Sequence, residues 1–281
     1  MRLFALSALV MTAFAANSLL NRAALGAGLI EALPFALIRV ASGALVLILL
    51  ARAFGPRGAP FRAGRAHLLP ALWLTLYLVG FSVAYLALDA GIGALVLFAT
   101  VQVTMLAGAT LAGDRPSPRR LAGAALALAG LAALLLPGSD AIPSVWAALT
   151  MGAAGLGWGL YSLAGRSARD PLGATACNFI LATPLVALAC LPAGLGNVTA
   201  GGVGLALLSG AVTSGLGYAL WYRILPELGA ARAAVAQLTV PVIAIAAGAL
   251  LLDETLSPGA IAASVLVLAG VALAILPPRQ R

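Results

Sequence analysis

Arg39 sits inside "PFALIRVASGALVLILL", a stretch with no other charge. A guanidinium there has two uses. Its planar fork matches a carboxylate on a small solute, or it caps carbonyls and reaches for the interface in a structural or gating role. Elsewhere the apolar stretches hold groups that hydrogen-bond without charge. Asn17 and Ser18 lie in "MTAFAANSLLNR", Gln102 lies between Thr100 and Thr104, and Gln237 precedes Thr239 and Pro241. Such amides and hydroxyls either contact a polar solute or bridge two helices. Aromatic residues recur at helical spacing. Trp73, Tyr77 and Tyr85 share a stretch with Ser82; Trp158 and Tyr161 occupy a second; Ser214, Tyr218, Trp221 and Tyr222 follow i, i+4, i+7, i+8 in a third. These stripes line a cavity or belong to an interfacial belt. Trp73 and Tyr222, near span ends, fit the belt, whereas Tyr77 and Tyr218 lie deeper.

The residues that are missing narrow the chemistry further. His67 is the sole histidine, so no Ser–His pair can form in the membrane, and no His, Cys or acid cluster has metal spacing. Cys177 and Cys190 fall in one apolar run, about 20 Å apart on a helix rising about 1.5 Å per residue, and are read as buried free thiols. No enzyme, metal or cofactor is expected. The 8 acids all stand in loops or at span ends, so the membrane-embedded carboxylate of a proton-coupled cation exporter is absent from the expected spans. A phosphate clamp needs several deep basic residues, and Arg39 alone qualifies. What remains suits a net-neutral, amphipathic solute such as an amino acid.

Composition sets the solvent. Apolar residues make up 63% and charged residues 9% of 281, against about 25% charged in a soluble domain, and the mean hydropathy is +1.09. So little charge cannot cover a globule, and the apolar surface must face hydrocarbon. The basic residues are all arginines, scattered in short clusters without a basic stripe, so no nucleic-acid partner is expected. "MRLFALSALVMTAFAANS" looks like a cleavable signal, but the apolar run continues through Leu20, and the expectation is that it is kept as a first span.

Apolar runs of about 20 residues, the length that crosses about 30 Å of hydrocarbon, fall at 3–21, 30–51, 67–88, 90–112, 118–136, 143–165, 172–192, 201–222, 230–252 and 257–277. None alternates like a membrane β-strand, so the fold class is an all-α polytopic membrane protein of ten transmembrane helices. With the N-terminus in the cytoplasm, every arginine except Arg22 and Arg39 lies on the inner side. The outer segments hold Glu31, Asp89, Asp140, Asp253 and Glu254. Both termini are therefore expected in the cytoplasm.

Within this array one segment is written twice. "SPRRLAGAALALAGLAALLLP" from Ser117 returns from Ser257 as "SPGAIAASVLVLAGVALAILP", with Leu126, Leu128, Gly130 and Pro137 among the residues repeated. "MTAFAANSLLNR" answers "GLGWGLYSLAGR", and "YLALDAG" answers "RILPELG". These matches divide the chain into repeats 1–137 and 138–281 of five helices each. An odd number of spans inverts the second repeat. That explains why Arg119 and Arg120 become Gly259 and Ala260: the same loop faces the cytoplasm in one copy and the outside in the other. Inverted repeats point to alternating access about a central site. Gly155 and Gly159 have small-xxx-small spacing for close helix approach. Asn178, Pro34, Pro184 and Pro241 mark possible helix breaks.

Ten helices in two inverted halves, an Arg in the second, and the "LAGAALALAGLAALLLP" type of fifth and tenth helix resemble the drug/metabolite transporter superfamily. The likeness is to its EamA-type exporters, and most to the YddG-type amino-acid exporters of the bacterial inner membrane. The resemblance implies a cavity among helices one to four and six to nine, with five and ten peripheral, and a substrate of amino acids or similar metabolites. An exporter of apolar drugs is the alternative; an intramembrane enzyme would lack a Ser–His pair, paired mid-helix Asp and a metal cluster, and a lipid scramblase would leave the charge swap without purpose. The expected partners are the small solute and the bilayer, with monomer and homodimer both open. If the repeats are inverted, single cysteines at Arg119 and Asp253 will react with impermeant reagent from opposite sides of the bilayer; labelling from one side would refute the arrangement.

Overall fold

The computed structural model describes residues 1–54, 64–113, 115–134, 144–165, 168–192, 194 and 196–275, with backbone alone at 134, 229–235 and 275. Arg57, Arg62, Asp140, Arg166, Arg279, Arg281 and the expected 137/138 repeat boundary lie outside the described residues.

The described chain is helical with short connections: α1 Arg2–Gly26, α2 Ala32–Phe54, α3 Leu68–Ala84 entered by a 3-10 turn, α4 Ala90–Leu111, α5 Pro118–Leu134, α6 Val145–Gly165 and α7 Pro171–Cys190. There follow α8 Ala200–Leu207, a π-helical segment Leu208–Leu216, α9 Gly217–Gln237, α10 Thr239–Leu251 and α11 Pro258–Ile275. Among the described residues, six helices have the length and apolarity to cross a membrane. Helix starts follow local chemistry. Proline takes the first position of α5, α7 and α11, where its missing N–H costs no helical bond. Ser117 Oγ accepts from Arg120 N at 3.4 Å, and Ser257 Oγ from Ala260 N at 3.1 Å, so the duplicated serines cap alike.

Three expectations change. The third span ends as α-helix at Ala84, and 85–89 form a turn. The eighth and ninth spans, expected as 201–222 and 230–252 with a loop between, are helical without a gap from Ala200 to Gln237, and the break comes at Leu238. Pro226 sits inside α9, exposed, where one lost helical bond is left to solvent rather than buried. Pro34 and Pro241, expected as breaks, lie in the first turns of α2 and α10, and only Pro184 of the three interrupts a helix interior.

Small residues set the closest contacts. On α5, a Cβ at Gly123 would meet Ala274 N at 2.5 Å and Gly270 O at 2.6 Å on α11, while one at Gly130 would meet Val267 N at 2.8 Å and Ala263 O at 3.1 Å. The helices therefore run antiparallel, and the contact is crossed: Gly123 meets Gly270 and Gly130 meets Ala263, whereas the duplication relates Gly123 to Ala263 and Gly130 to Gly270. On α6, Gly155 and Gly159 press on Thr100 and Thr104 of α4, and Gly157 presses on the Trp73 and Tyr77 backbone of α3.

Other contacts come in matched sets. α3 packs on α6 as α1 packs on the π segment and α9; α4 meets α6 as α10 meets α1; α3 meets α7 as the π segment meets α2. α2 with α7, α4 with α10, and α5 with α11 pair directly. Gly123→Ala should lower the unfolding midpoint in detergent, through a loss of about 1–3 kcal/mol of stability from overpacking against backbone. Gly152→Ala, with nothing within 4 Å of the new methyl, should leave it unchanged or slightly raised, so equal effects would refute the packing account.

Candidate functional site

Phe14, Asn17 and Ser18 of α1, Tyr77 and Phe81 of α3, Leu97 and Phe98 of α4, Trp158 of α6 and Tyr218 of α9 enclose a central cavity. Its volume is about 20 Å³, room for about one water. The aromatic walls rest on each other. Trp158 lies 4.9 Å from Tyr77, 5.1 Å from Tyr218 and 5.5 Å from Tyr161 between ring centroids, and Phe14 meets Tyr218 edge-on at 5.7 Å. A solute larger than water enters only when these rings part.

Behind this wall lies Arg39 of α2, 0% exposed. It does not snorkel. Its Nε donates to Ser214 Oγ at 3.1 Å and its Nη2 to Tyr77 Oη at 2.8 Å, while Nη1 is buried without a hydrogen-bond partner. The guanidinium carbon lies 4.9 Å from the Phe81 centroid and 5.3 Å from that of Tyr77. Both ion pairs recorded among the described residues belong to Arg22, and none reaches Arg39. Hydrogen bonds to a charged donor contribute about 1.5–3 kcal/mol each and the ring faces about 0.5–2 kcal/mol each, against several kcal/mol for desolvating the ion.

The π segment makes this burial possible. A Cβ at Gly210 would collide with the backbone of Arg39 and with Ser42 Oγ, so α2 and the π segment touch where glycine leaves room. The wider turn also gathers hydroxyls: Ser209, Thr213 and Ser214 donate to Asn17 Oδ1 at 2.9, 2.6 and 3.4 Å. Asn17, Ser214, Arg39 and Tyr77 thus form one buried chain linking α1, the π segment, α2 and α3. π-Helical turns inside membrane helices recur at functional sites. The regular spacing expected from Ser214 to Tyr222 is broken at Leu216, which is why Ser214 faces Arg39 while Tyr218 faces the cavity.

Five of the expected cavity residues meet there: Asn17, Ser18, Tyr77, Trp158 and Tyr218. The others stand apart. Ser82 donates to Asn21 Oδ1 at 2.9 Å, and the Tyr85 hydroxyl to Ala90 O at 3.2 Å. Tyr161 accepts from Asn178 Nδ2 at 3.5 Å, and Trp221 packs edge-on against Phe14 at 5.8 Å. Gln102 and Gln237 do share a space, but it is a separate recess of about 10 Å³ among α4, the α9–α10 junction and α11. Phe98 borders both spaces. Thr239 is exposed, its hydroxyl donating to Ala236 O at 2.7 Å.

Sequence reasoning did not single out Phe14, Phe81, Leu97 and Phe98. Phe14 precedes Asn17 by three residues and Phe81 follows Tyr77 by four, so both share the faces already singled out. It also left Arg22, Asp89 and Glu254 unconnected. Arg22 Nη2 lies 3.2 Å from Asp89 Oδ1, and its Nε lies 3.5 Å from Glu254 Oε1. Both Glu254 oxygens accept from Ala90 N, at 2.8 and 3.0 Å, capping α4 from the α10–α11 loop. Asp253, at φ +53, turns the chain so that Glu254 points inward against Gly248. Nearby, the α1–α2 and α7–α8 loops pair: Glu31 N donates to Asn197 O at 3.1 Å and Thr199 N to Leu29 O at 2.9 Å. The single arginine expected on the outer side, among the acids expected there, was the available signal.

An EamA-like transporter family model matches residues 145–276. An uncharacterized protein of Pseudomonas aeruginosa, PA1977, is 49% identical over 280 residues, covering 99% of this chain and 96% of that protein. The chain belongs to the EamA-like transporter family. A crystal structure described only as that of a protein superposes with a TM-score of 0.68 at 21% identity, over 98% of this chain and 97% of that one, and shares the fold. The buried polar chain and its aromatic cavity are therefore features of a membrane transporter.

Burial raises the Glu254 carboxyl above its ordinary value of 4.5; the Ala90 N–H and Arg22 pull it down, and the Asp89 charge pushes it up. The native EamA-like protein then holds a proton that the unfolded chain has released, so stability falls as pH rises from 4.5 through the raised value. Glu254→Gln does not titrate. Its unfolding midpoint minus that of wild type should grow as pH climbs through this window, and a pH-independent difference would show an ordinary carboxyl.

Proposed function

We propose that this EamA-like transporter exports amino acids and related small metabolites across the bacterial inner membrane by alternating access. Both termini lie in the cytoplasm, and halves 1–137 and 138–281 are inverted repeats. The observation that carries this reading is the α5–α11 contact, where duplicated small residues meet in antiparallel register. The matched packing of the other helices supports it, because two like bundles about one axis can exchange conformations.

Asn17, Ser18, Tyr77, Trp158 and Tyr218 contact the solute. Ser82, Tyr85, Gln102, Tyr161, Trp221, Gln237 and Thr239 have the more distant role of shaping or lining the path as the halves move. Arg39 gates the site or takes a carboxylate. Outer closure rests on the Arg22–Asp89–Glu254 cluster and the loop pairing at Leu29 and Thr199, both of which must break for solute to leave. No carboxylate among the described residues borders the cavity, which supports movement down the solute gradient without a proton.

The largely aromatic wall also favours one second reading, export of apolar drugs. Counterflow in proteoliposomes separates them. With no pH gradient, labelled phenylalanine should move, while a sugar phosphate and a cationic dye should not. Movement of the dye alone would favour the drug reading, and movement of phenylalanine only under a pH gradient would overturn uncoupled transport.

A further inference from the structure

We infer that Arg39 is the receptor for a carboxylate on the transported solute, and that the site selects by net charge. Amphipathic carboxylates without a cationic group bind better than their zwitterionic analogues, and cationic analogues bind worst. This rests on the transport reading above and sharpens its substrate class.

The argument begins with a charge that has no counter-ion. Arg39 is 0% exposed, gives two N–H groups to neutral hydroxyls, keeps Nη1 unpartnered, and meets no acid among the described residues. A neutral donor such as glutamine would bridge Ser214 and Tyr77 at far lower desolvation cost. A permanent cation there, with a buried N–H to spare, is suited to an anion.

Position supplies the second part. Tyr77 and Phe81 cover the guanidinium and are also cavity wall; Ser214 links it to Asn17, again cavity wall. One layer of side chains separates the charge from the cavity. The parting of rings that admits a solute also uncovers Nη1, and a carboxylate can then take Nη1 and Nη2 together, the Tyr77 hydroxyl giving way.

The solute's other end decides the selectivity. The body of the molecule meets Trp158, Tyr218 and Phe14. A cationic end finds no described acid there, and Asn17 Oδ1 already accepts three hydroxyls. Ring faces are its main recourse. A monoanion neutralises the site, a zwitterion leaves the Arg39 charge in excess, and a cation adds to it.

N-acetylphenylalanine, phenylalanine and phenylalaninamide share one side chain and carry net charges of about −1, 0 and +1 at mildly acidic pH. Binding is read by tryptophan fluorescence of the reconstituted protein, and movement by efflux of each labelled compound. The expected order is N-acetylphenylalanine about tenfold tighter than phenylalanine, with phenylalaninamide weakest. Arg39→Gln should abolish the order and weaken both carboxylates about 10- to 100-fold. Arg39→Lys should keep the order at reduced affinity, which a merely structural arginine would not do. Equal binding of the three, an unchanged order in Arg39→Gln, or sodium chloride alone protecting the site as well as N-acetylphenylalanine would overturn the inference. Equal movement of all three would sink it and leave transport standing; binding in the expected order without movement would do the reverse.

Discussion

Helices in hydrocarbon gain little from hiding apolar surface from each other, because lipid tails are as apolar as leucine. The bundle must cohere where backbones come close enough for dense van der Waals contact and where polar groups find partners. In this protein glycine fixes those places. Gly123, Gly130 and Gly270 join α5 to α11; Gly155, Gly157 and Gly159 seat α6 between α3 and α4; Gly210 brings the π segment onto α2. At each of these contacts but Gly159, which meets the Thr104 side chain, one added methyl would collide with a neighbouring backbone. The helix positions that hold the site follow from them.

The Gly210 contact has the largest chemical consequence. It lets Ser214 reach Arg39, and the same widened turn presents three hydroxyls to Asn17. Placing an arginine at the centre of a membrane helix costs about 2.5–3.5 kcal/mol on insertion scales. Here the cost is met in part by Tyr77, Ser214 and two ring faces, none of which is charged. An unneutralised cation of this kind couples the polar interior to the aromatic cavity, since Tyr77 belongs to both. Movement of that ring changes the cavity wall and the solvation of the charge together.

The end of the bundle that carries Arg22 is tied by a different chemistry. Arg22, Asp89 and Glu254 come from α1, the α3–α4 turn and the α10–α11 loop, and Glu254 completes the N-terminus of α4 through Ala90. The central rings are meanwhile closed on a space of about 20 Å³. Ion pairs of this partial exposure contribute modestly, so they suit a contact that must form and break.

The sequence by itself determined that the chain lives in lipid, that its elements are helices, and that the segment from Ser117 recurs from Ser257, because composition, run length and repetition are local properties. The arginine distribution likewise carries its own expectation of sidedness. It also singled out Arg39, since a charge amid apolar residues is conspicuous without any knowledge of its neighbours. Only the tertiary structure decided what Arg39 touches, because Ser214 and Tyr77 are brought to it by Gly210 and by the packing of α3, not by spacing along the chain. The same holds for the join of α9 past Pro226, where composition reads as a loop but the backbone stays helical, and for Gln102 and Gln237, whose shared recess lies apart from the central cavity. The π segment was illegible for a further reason: periodicity assumes 3.6 residues per turn, and a widened turn rotates every later side chain away from the face that rule assigns.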